Sequence, residues 1–290
     1  MPVLCLIANP IDSELDPHLA AAVVQQTGGE LNWLDHSIAC EIIDPVAPDA
    51  LSLARDVIGA RRVDAALVPS EGRRKPILVA DMDSTMINEE CIDELADALG
   101  IKEQVADITD RAMRGELDFA AALDTRVALL KGLERRVIEE VRRERITLAP
   151  GGRALIQTMK AYGAYTALVS GGFTYFADFF AKRIGFDEAV ANVLQFDGDK
   201  LTGTVAKPIV DKTTKRERLI ALAAERNVPL ERTMAVGDGA NDLDMIAIAG
   251  FGVALHAKPT VAAQAGIRID HADLTALLYL QGYADEDIVR

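Results

Sequence analysis

The feature that most constrains the fold is a repeated pattern in which an apolar strand segment ends directly in carboxylates or glycines. The first copy, Leu78–Thr85, carries Asp81 and Asp83 one residue apart. Comparable strand ends occur at Ser170–Gly172 and at Gly237–Gly239. Strands that alternate with helices form parallel sheets, and ligands bind beyond the carboxyl ends of such strands. The pattern therefore predicts an α/β domain with a polar site along one edge of its sheet.

The two carboxylates of the first copy suit phosphoryl transfer. Side chains alternate along a strand, so Asp81 and Asp83 point the same way if the strand continues. One carboxylate could attack phosphorus while its neighbour handles the proton. The same residues also occur in simple turns and helix caps, so the rest of the chain has to distinguish the two interpretations.

The segments after this strand predict an inserted cap. Between about residues 89 and 146 the sequence shows helical patterns and no strand, which indicates a small helical bundle placed over the carboxylates. Strands and helices then alternate again, with a strand at Tyr165–Val169. Two short β patterns, Ala189–Phe196 and Leu201–Val205, flank an Asp-Gly-Asp turn and predict a hairpin.

The first 75 residues are organised differently. Strands and helices follow one another in the order β-α-β-β-α-β, which is typical of a ferredoxin-like α+β domain. Such domains often sense ligands, and no catalytic motif lies here, so we expect an accessory or regulatory domain over 1–75 and a catalytic domain over 76–290. The charged stretch Glu71–Pro76 is the expected linker, and the N-terminal domain is a candidate surface for a homodimer.

The other strand ends offer groups for an anion and for a cation. Glycines after Ser170 allow close backbone approach, and a strand that runs into a helix presents N–H groups and a helix dipole to a phosphate. An ordinary serine-capped turn has the same sequence. Asp238 provides the hard oxygen ligand that Mg²⁺ prefers, and Asp242 could ligate the ion or orient a water.

Net charge makes a local cation necessary at such a site. The 290 residues carry a formal charge of -14 without a basic cluster, which argues against a nucleic-acid partner. An anionic substrate therefore has to be held by a metal and a few basic residues. Lys215 precedes a helical pattern and could reach a phosphate, but Lys207 and Lys212 are close competitors.

Three residues of the predicted cap could select the substrate. Phe119 and Arg126 share one helix face, where Arg126 interrupts an apolar stripe. The arginine could bind a substrate carboxylate, or its long side chain could reach from that face to solvent. Glu90 could contact an ammonium group, or it could simply stabilise the start of a helix.

The cysteines and the apolar segments favour a cytoplasmic protein. Cys5, Cys40 and Cys91 are too scattered for a disulfide framework or a zinc site, which favours free thiols in a reducing compartment. No apolar run approaches the roughly 20 residues that a membrane span requires, and the start of the chain lacks the positive charge of a signal peptide.

Residues 77 to about 282 resemble the phosphoserine phosphatases of the haloacid-dehalogenase-like superfamily. The family motifs DxDST, SGGF, a downstream lysine and GDGAND occur in order at Asp81–Thr85, Ser170–Phe173, Lys215 and Gly237–Asp242. The resemblance implies a Rossmann-like parallel sheet with a helical cap. It also implies a nucleophile, Asp81, an acid and base, Asp83, and Mg²⁺ bound by Asp81, the Asp83 carbonyl and Asp238. Cap and phosphate contacts implied in the same way are Glu90, Phe119, Arg126, Ser170, Gly171, Lys215 and Asn241.

The implied reaction is hydrolysis of O-phospho-L-serine to L-serine and phosphate through an aspartyl-phosphate, the last step of serine biosynthesis. The alternative within the family is another small phosphomonoester, or phosphate transfer to a different alcohol. An alternative from another class is a ligand-sensing protein with a vestigial site. That alternative predicts a damaged site, whereas the carboxylates, Ser170 and a candidate lysine are all present.

Overall fold

The computed structural model describes residues 1–114 and 116–290. Its N-terminal part is a four-stranded antiparallel sheet in the order β2-β3-β1-β4 with two helices, which confirms the ferredoxin-like arrangement. The elements are β1 (Pro2–Ala8), α1 (Pro17–Thr27), β2 (Glu30–Asp35), β3 (Ala39–Ile43), α2 (Ala50–Ile58) and β4 (Val63–Pro69).

The second part is built on a six-stranded parallel sheet in the order β12-β11-β10-β5-β6-β7. Strands β5, β10 and β11 are buried along their whole length, as expected for apolar strands that are covered on both faces. The strands are β5 (Ile77–Ala80), β6 (Tyr165–Phe173), β7 (Glu188–Asn192), β10 (Thr233–Gly237), β11 (Phe251–Leu255) and β12 (Ile267–Ile269). Because β5 lies between β10 and β6, the three predicted strand ends are neighbours at one edge of the sheet.

Helices connect these strands, and the predicted cap lies between β5 and β6. The cap helices are α3 (Cys91–Asp97), α4 (Lys102–Met113), α5 (Phe119–Leu129) and α6 (Arg135–Glu144). The remaining helices are α7 (Gly152–Ala161), α8 (Thr174–Ile184), α9 (Lys212–Glu225), α10 (Leu243–Ile248), α11 (Pro259–Ala262) and α12 (Ala276–Leu280). Among the described residues, no helix combines the length and the apolar character needed to cross a bilayer.

The predicted hairpin is only partly present. Residues predicted as one strand, Ala189–Phe196, are divided at Val193: β7 joins the parallel sheet, and the hairpin consists of β8 (Leu194–Asp197) and β9 (Lys200–Val205). An apolar run cannot by itself show whether it pairs with a distant parallel strand or with its neighbour in sequence.

Both faces of the N-terminal sheet are buried. Side chains alternate along β1, so Leu4 and Leu6 pack against α1 and α2, while Val3, Cys5 and Ile7 belong to the apolar cluster of the second part. The second part meets this face with α12, a helix that is buried on every side. A helix that is apolar all round requires such a layer on each side, and here β1 and α7 provide it.

Polar contacts cross the same junction. Asp64, at the start of β4, accepts hydrogen bonds from three successive backbone N–H groups, those of Asp270, His271 and Ala272, at 2.8, 3.1 and 2.8 Å. Arg73 donates to the Glu41 carboxylate at 2.6 Å and to two carbonyl oxygens of α12. In the predicted linker 71–76, Arg73 and Lys75 are therefore packed against the second part, whereas Glu71 and Arg74 are exposed.

Candidate active site

The loop after β5 places two carboxylates at one cavity. Asp81 continues the strand, with its N–H donating to the carbonyl of Val236 at 3.0 Å. The chain then turns, with Ser84 in the left-handed region at a φ of 55°. The Asp83 carboxylate accepts the backbone N–H of Cys91 at 3.1 Å, so the first turn of α3 fixes its position. Both Asp81 and Asp83 line the cavity under the cap.

Three carboxylates meet at the sheet edge beside this loop. One oxygen each from Asp81, Asp238 and Asp242 lies within 4.8 Å of the others, and all three residues are buried. The Lys215 ammonium lies 2.7 Å from Asp81 Oδ1 and 2.6 Å from Asp242 Oδ1. One ammonium cannot balance three carboxylates, so the cluster keeps an excess of negative charge.

The protonation equilibria of the cluster reflect that excess. Burial, together with the charges of neighbouring carboxylates, raises the pKa of Asp238 well above its usual range and that of Asp242 to about 7. Burial would lower the pKa of Lys215, but the carboxylates of Asp242 and Asp81 outweigh it and raise that pKa. A buried set of oxygen donors with unbalanced negative charge fits a hard divalent cation such as Mg²⁺.

The Asp83 carboxylate stands apart from this cluster. Burial raises its pKa to about 6, and the charge of Asp81 adds to the effect. A carboxyl group with that pKa can both give and take a proton near neutral pH, which is what an acid and base catalyst requires.

The Ser170–Gly172 segment has a different shape from the predicted one. The helix α8 begins at Thr174, as predicted, but strand β6 stays extended through Phe173, so the two glycines continue the strand and do not form a turn. A Cβ on Gly171 would lie 2.6 Å from Phe119 Cζ, and one on Gly172 would lie 2.5 Å from Asp83 Oδ2. The glycines are required because the backbone passes directly beneath the cap and beside the acid.

A serine hydroxyl and an asparagine amide also line the cavity. Ser170 Oγ accepts the N–H of Gly172 at 2.8 Å, which leaves its own hydrogen free to donate into the cavity. Asn241 lines the same cavity, and its buried Oδ1 has no hydrogen-bond partner among the described residues. Of the three candidate lysines, Lys215 is fully buried, whereas Lys207 pairs with Asp124 at the surface and Lys212 is exposed.

The cap contributes one buried cation, Arg126, and one partly buried carboxylate, Glu90. Arg126 is 3% exposed, and no carboxylate of the described residues lies within ion-pair distance of it. Burial lowers its pKa, and the charges of Glu90, Asp93 and Asp83 offset this effect only in part. The Glu90 carboxylate accepts from Ser84 Oγ at 2.8 Å, and burial, with the charges of Asp83 and Asp238, raises its pKa. Both residues line the cavity together with Phe119.

Several supporting residues could not be found from the motifs. Thr109 of α4 accepts a hydrogen bond from Arg126, Asn192 holds the carbonyl of Gly171 at 2.9 Å, and Thr85 donates to Asp238 at 3.2 Å. Thr109 does have one sequence signal: it lies four residues after Val105, on the inward face of its helix. A polar residue at an apolar position of a cap helix is worth examining.

Known proteins share both the motifs and the fold. The haloacid dehalogenase-like hydrolase family matches residues 78–247. A phosphoserine phosphatase of Streptomyces coelicolor is 44% identical over 228 residues, which are 78% of this chain and 55% of that protein. The chain spans between 53% and 65% of the length of this relative and three further phosphoserine phosphatases.

Two solved structures extend the comparison. A family hydrolase of Salmonella enterica serovar Typhi superposes with a TM-score of 0.82 at 32% identity, covering 97% of this chain and 98% of that one. A substrate-bound phosphoserine phosphatase superposes with a TM-score of 0.68 at 39% identity, covering 71% of this chain and 97% of that one. The first likeness includes the N-terminal part, and the second covers a share of this chain close in size to its second part.

Proposed function

This chain belongs to the haloacid dehalogenase-like hydrolase family, and from that premise we propose that it hydrolyses O-phospho-L-serine to L-serine and phosphate. The observation that carries the proposal is one cavity that joins the Asp81 and Asp83 carboxylates to a buried, unpaired Arg126 and a partly buried Glu90. Phosphoserine has a phosphate group on which Asp81 and Asp83 can act. It also has a carboxylate that can bind Arg126 and an ammonium that can bind Glu90. Relatives at 44% and 48% identity are also phosphoserine phosphatases.

The first step forms a bond between an Asp81 oxygen and phosphorus. The bond from phosphorus to the serine oxygen breaks, and the departing oxygen takes the proton of Asp83. Hydrogen bonds to Asp81 from Lys215 and from the Met82 N–H both reach Oδ1, so Oδ2 is not engaged by the described residues. Ser170, the Gly171 backbone, Lys215 and Asn241 surround the transferring oxygens in this proposal.

The second step hydrolyses the aspartyl-phosphate. A water molecule attacks phosphorus and gives a proton to the Asp83 carboxylate, and inorganic phosphate leaves as Asp81 is regenerated. Two displacements thus replace one difficult step, with Asp83 alternating between acid and base. Phe119 and the neighbouring apolar cap residues exclude bulk water while the first step takes place.

A magnesium ion fits the oxygen donors at the sheet edge. Asp81, Asp238 and the backbone carbonyl of Asp83 would hold it, with Asp242 as a further ligand or as the residue that orients a bound water. When bound, it would offset the charge of the phosphate oxygens. Lys215 supports this role because its ammonium fixes one oxygen of Asp81 and one of Asp242.

The proposal also concerns the binding partners of the protein and its location in the cell. The small-molecule substrate is the expected partner, with neither a nucleic acid nor a membrane involved. A homodimer through the N-terminal domain and a cytoplasmic location stay predictions. The main alternative is a different phosphomonoester, and the presence of both Arg126 and Glu90 at the cavity is the observation that favours an amino-acid ester over it.

Phosphate release from a panel of esters tests the proposal. We expect O-phospho-L-serine to be hydrolysed far better than 2-aminoethyl phosphate, which is the same ester without the carboxylate, and only with a divalent cation. Asp81→Asn should abolish turnover with an unchanged circular dichroism spectrum, because an amide is a poor nucleophile. Arg126→Ala should reduce the preference between the two esters about 10- to 100-fold, the size of a charged hydrogen-bond pair. Equal activity toward both esters in the unmodified protein would contradict phosphoserine as the substrate.

A further inference from the structure

Arg126 is held by a polar contact inside the cap that none of the catalytic motifs contains. Its Nη1 donates to the hydroxyl of Thr109 at 3.0 Å, and its Nε donates to the backbone carbonyl of Ala122 at 3.2 Å. The hydroxyl in turn donates to the Asp93 carboxylate at 2.7 Å, with the carbonyl of Val105 as a second acceptor at 3.0 Å. Thr109 therefore connects three cap helices, α3, α4 and α5, at one buried point.

This arrangement offsets part of the cost of burying a guanidinium group. A guanidinium has five N–H donors and no acceptor, and a buried one is costly unless its donors are satisfied. Thr109 and Ala122 satisfy only part of the set, and the nearest acidic side chains, Glu90 and Asp93, act on Arg126 by charge at a distance. The guanidinium is thereby fixed on one side, while donors are left for a ligand on the side of the cavity.

We propose that Thr109, supported by Asp93, is a positioning residue that aims Arg126 at the carboxylate of the substrate. The proposal rests on the function proposed above and adds to it a determinant of specificity outside the cavity wall. Three features carry it: Thr109 is 3% exposed, its hydroxyl accepts from Arg126 Nη1, and the same hydroxyl is polarised by donating to a carboxylate.

The Asp93 carboxylate does not itself pair with Arg126. No ion pair joins these two residues, so the threonine hydroxyl stands between them as a neutral spacer. A direct ion pair would neutralise Arg126 and compete with the substrate carboxylate. A hydroxyl can orient the guanidinium without cancelling its charge, and this explains why a threonine occupies an otherwise apolar helix face.

The test is a set of cap variants assayed with O-phospho-L-serine and 2-aminoethyl phosphate. Thr109→Val keeps the shape of the side chain but cannot accept a hydrogen bond. We expect it to lower the ratio of kcat/KM between the two esters about 3- to 10-fold, mainly through the KM of phosphoserine, with kcat little changed. Thr109→Ser should restore the ratio. Thr125→Val removes a hydroxyl from the exposed side of α5, beside Arg126, and should leave the ratio as it is.

Combination with Arg126→Ala separates positioning from a general loss of stability. If Thr109 acts through Arg126, Thr109→Val should change the ratio no further in the Arg126→Ala background, although the melting temperature falls in both. A full additional loss in that background, or equal losses for both esters in Thr109→Val, would overturn the proposal. If the unmodified protein shows no preference for phosphoserine, the proposed function fails first, and the panel of esters reveals this independently of any Thr109 variant.

Discussion

At the scale of single residues, the chemistry depends on how burial divides protons among neighbouring carboxylates. Asp83 lies at the same sheet edge as the cluster of Asp81, Asp238 and Asp242, yet its hydrogen-bond partner is different. The cluster shares one lysine, whereas Asp83 receives a backbone N–H from a cap helix. Their different surroundings suit Asp81 to the role of nucleophile and Asp83 to the role of proton carrier.

Asp83 should give the two chemical steps opposite pH dependences. Its pKa is raised to about 6 by burial and by the charge of Asp81, and phosphoryl transfer needs its protonated form. The rate of aspartyl-phosphate formation is expected to fall as pH rises through about 6, while the rate of its hydrolysis rises over the same interval. Rapid-quench measurement of both steps between pH 5 and 8 checks this. Parallel changes in both rates would mean that Asp83 does not serve both steps.

The carboxylate cluster should make the metal-free protein unstable at neutral pH. Because the folded-state pKa of Asp242 is about 7, above the ordinary value of 3.8, the folded protein takes up a proton before the unfolded chain does. Stability of the metal-free protein should therefore rise as pH falls from 8 to 6. Thermal unfolding in the presence of a chelator measures this.

Asp238→Asn tests the same charge excess by mutation. Removing one buried carboxylate should raise the melting temperature of the metal-free protein and should reduce the further stabilisation that Mg²⁺ gives. A ligand at about 100 times its Kd stabilises a protein by about 2.7 kcal/mol, so the loss is measurable. Asp244→Asn is the matched control, because Asp244 is partly exposed and outside the cluster. A lower melting temperature in the metal-free Asp238→Asn variant would show that the cluster is not strained by its charge.

At the scale of elements, the end of β6 sets the distance between the acid and the cap. Gly172→Ala would place a methyl group 2.5 Å from Asp83 Oδ2, so either the strand or the acid has to move. We expect kcat to fall about 10- to 100-fold, since small displacements of reacting groups have effects of that size. Stability should fall by about 1–3 kcal/mol, as in other overpacked sites.

Gly266→Ala serves as the control for that substitution. A Cβ at Gly266 meets no atom within 4 Å and its φ lies outside the left-handed region, so activity and melting temperature should both be kept. If Gly172→Ala were as active as this control, the close approach of β6 to Asp83 would not matter for catalysis.

The elements also show what the sequence can and cannot predict. Strand ends such as Asp81 and Asp238 are predictable because a buried parallel strand is a continuous apolar run and its polar end is abrupt. The extended path of Gly171 and Gly172 is not, since a strand-to-helix turn has the same residues. Thr109 was missed because its place on an apolar helix face does not reveal the contact with Arg126, which comes from packing of α4 against α5.

At the scale of the whole molecule, the N-terminal domain is part of the core and not an appendage. Its sheet covers one side of α12 and supplies apolar side chains to the same cluster as the cap and the central strands. That all proposed catalytic residues lie beyond Ile77 was predictable from the motifs. The packed junction was not, because the charged stretch 71–76 suggested separation.

Deletion of residues 1–75 tests whether the N-terminal domain contributes to stability and not to catalysis. We predict that the shortened protein still performs phosphoryl transfer per folded molecule, since every proposed catalytic residue remains. Its melting temperature should fall by roughly 10 °C or more, because α12 loses one apolar partner layer and each uncovered aliphatic side chain costs about 1.5–3 kcal/mol. Active-site titration with beryllium fluoride, alongside calorimetry, separates activity from stability. A folded but inactive fragment, or one with an unchanged melting temperature, would contradict this division.

Asp64 gives the junction between the two parts a further property, because its carboxylate occupies an anion-binding site of the same chain. Three consecutive amide groups at 270–272 form the kind of concave site that binds free anions, and the carboxylate from β4 already fills it. Chain connectivity keeps that carboxylate at a high effective concentration, so a dissolved anion competes poorly for the same amides. The segment after β12, the edge strand of the parallel sheet, is thereby anchored to the N-terminal domain by a contact that needs no dissolved ligand.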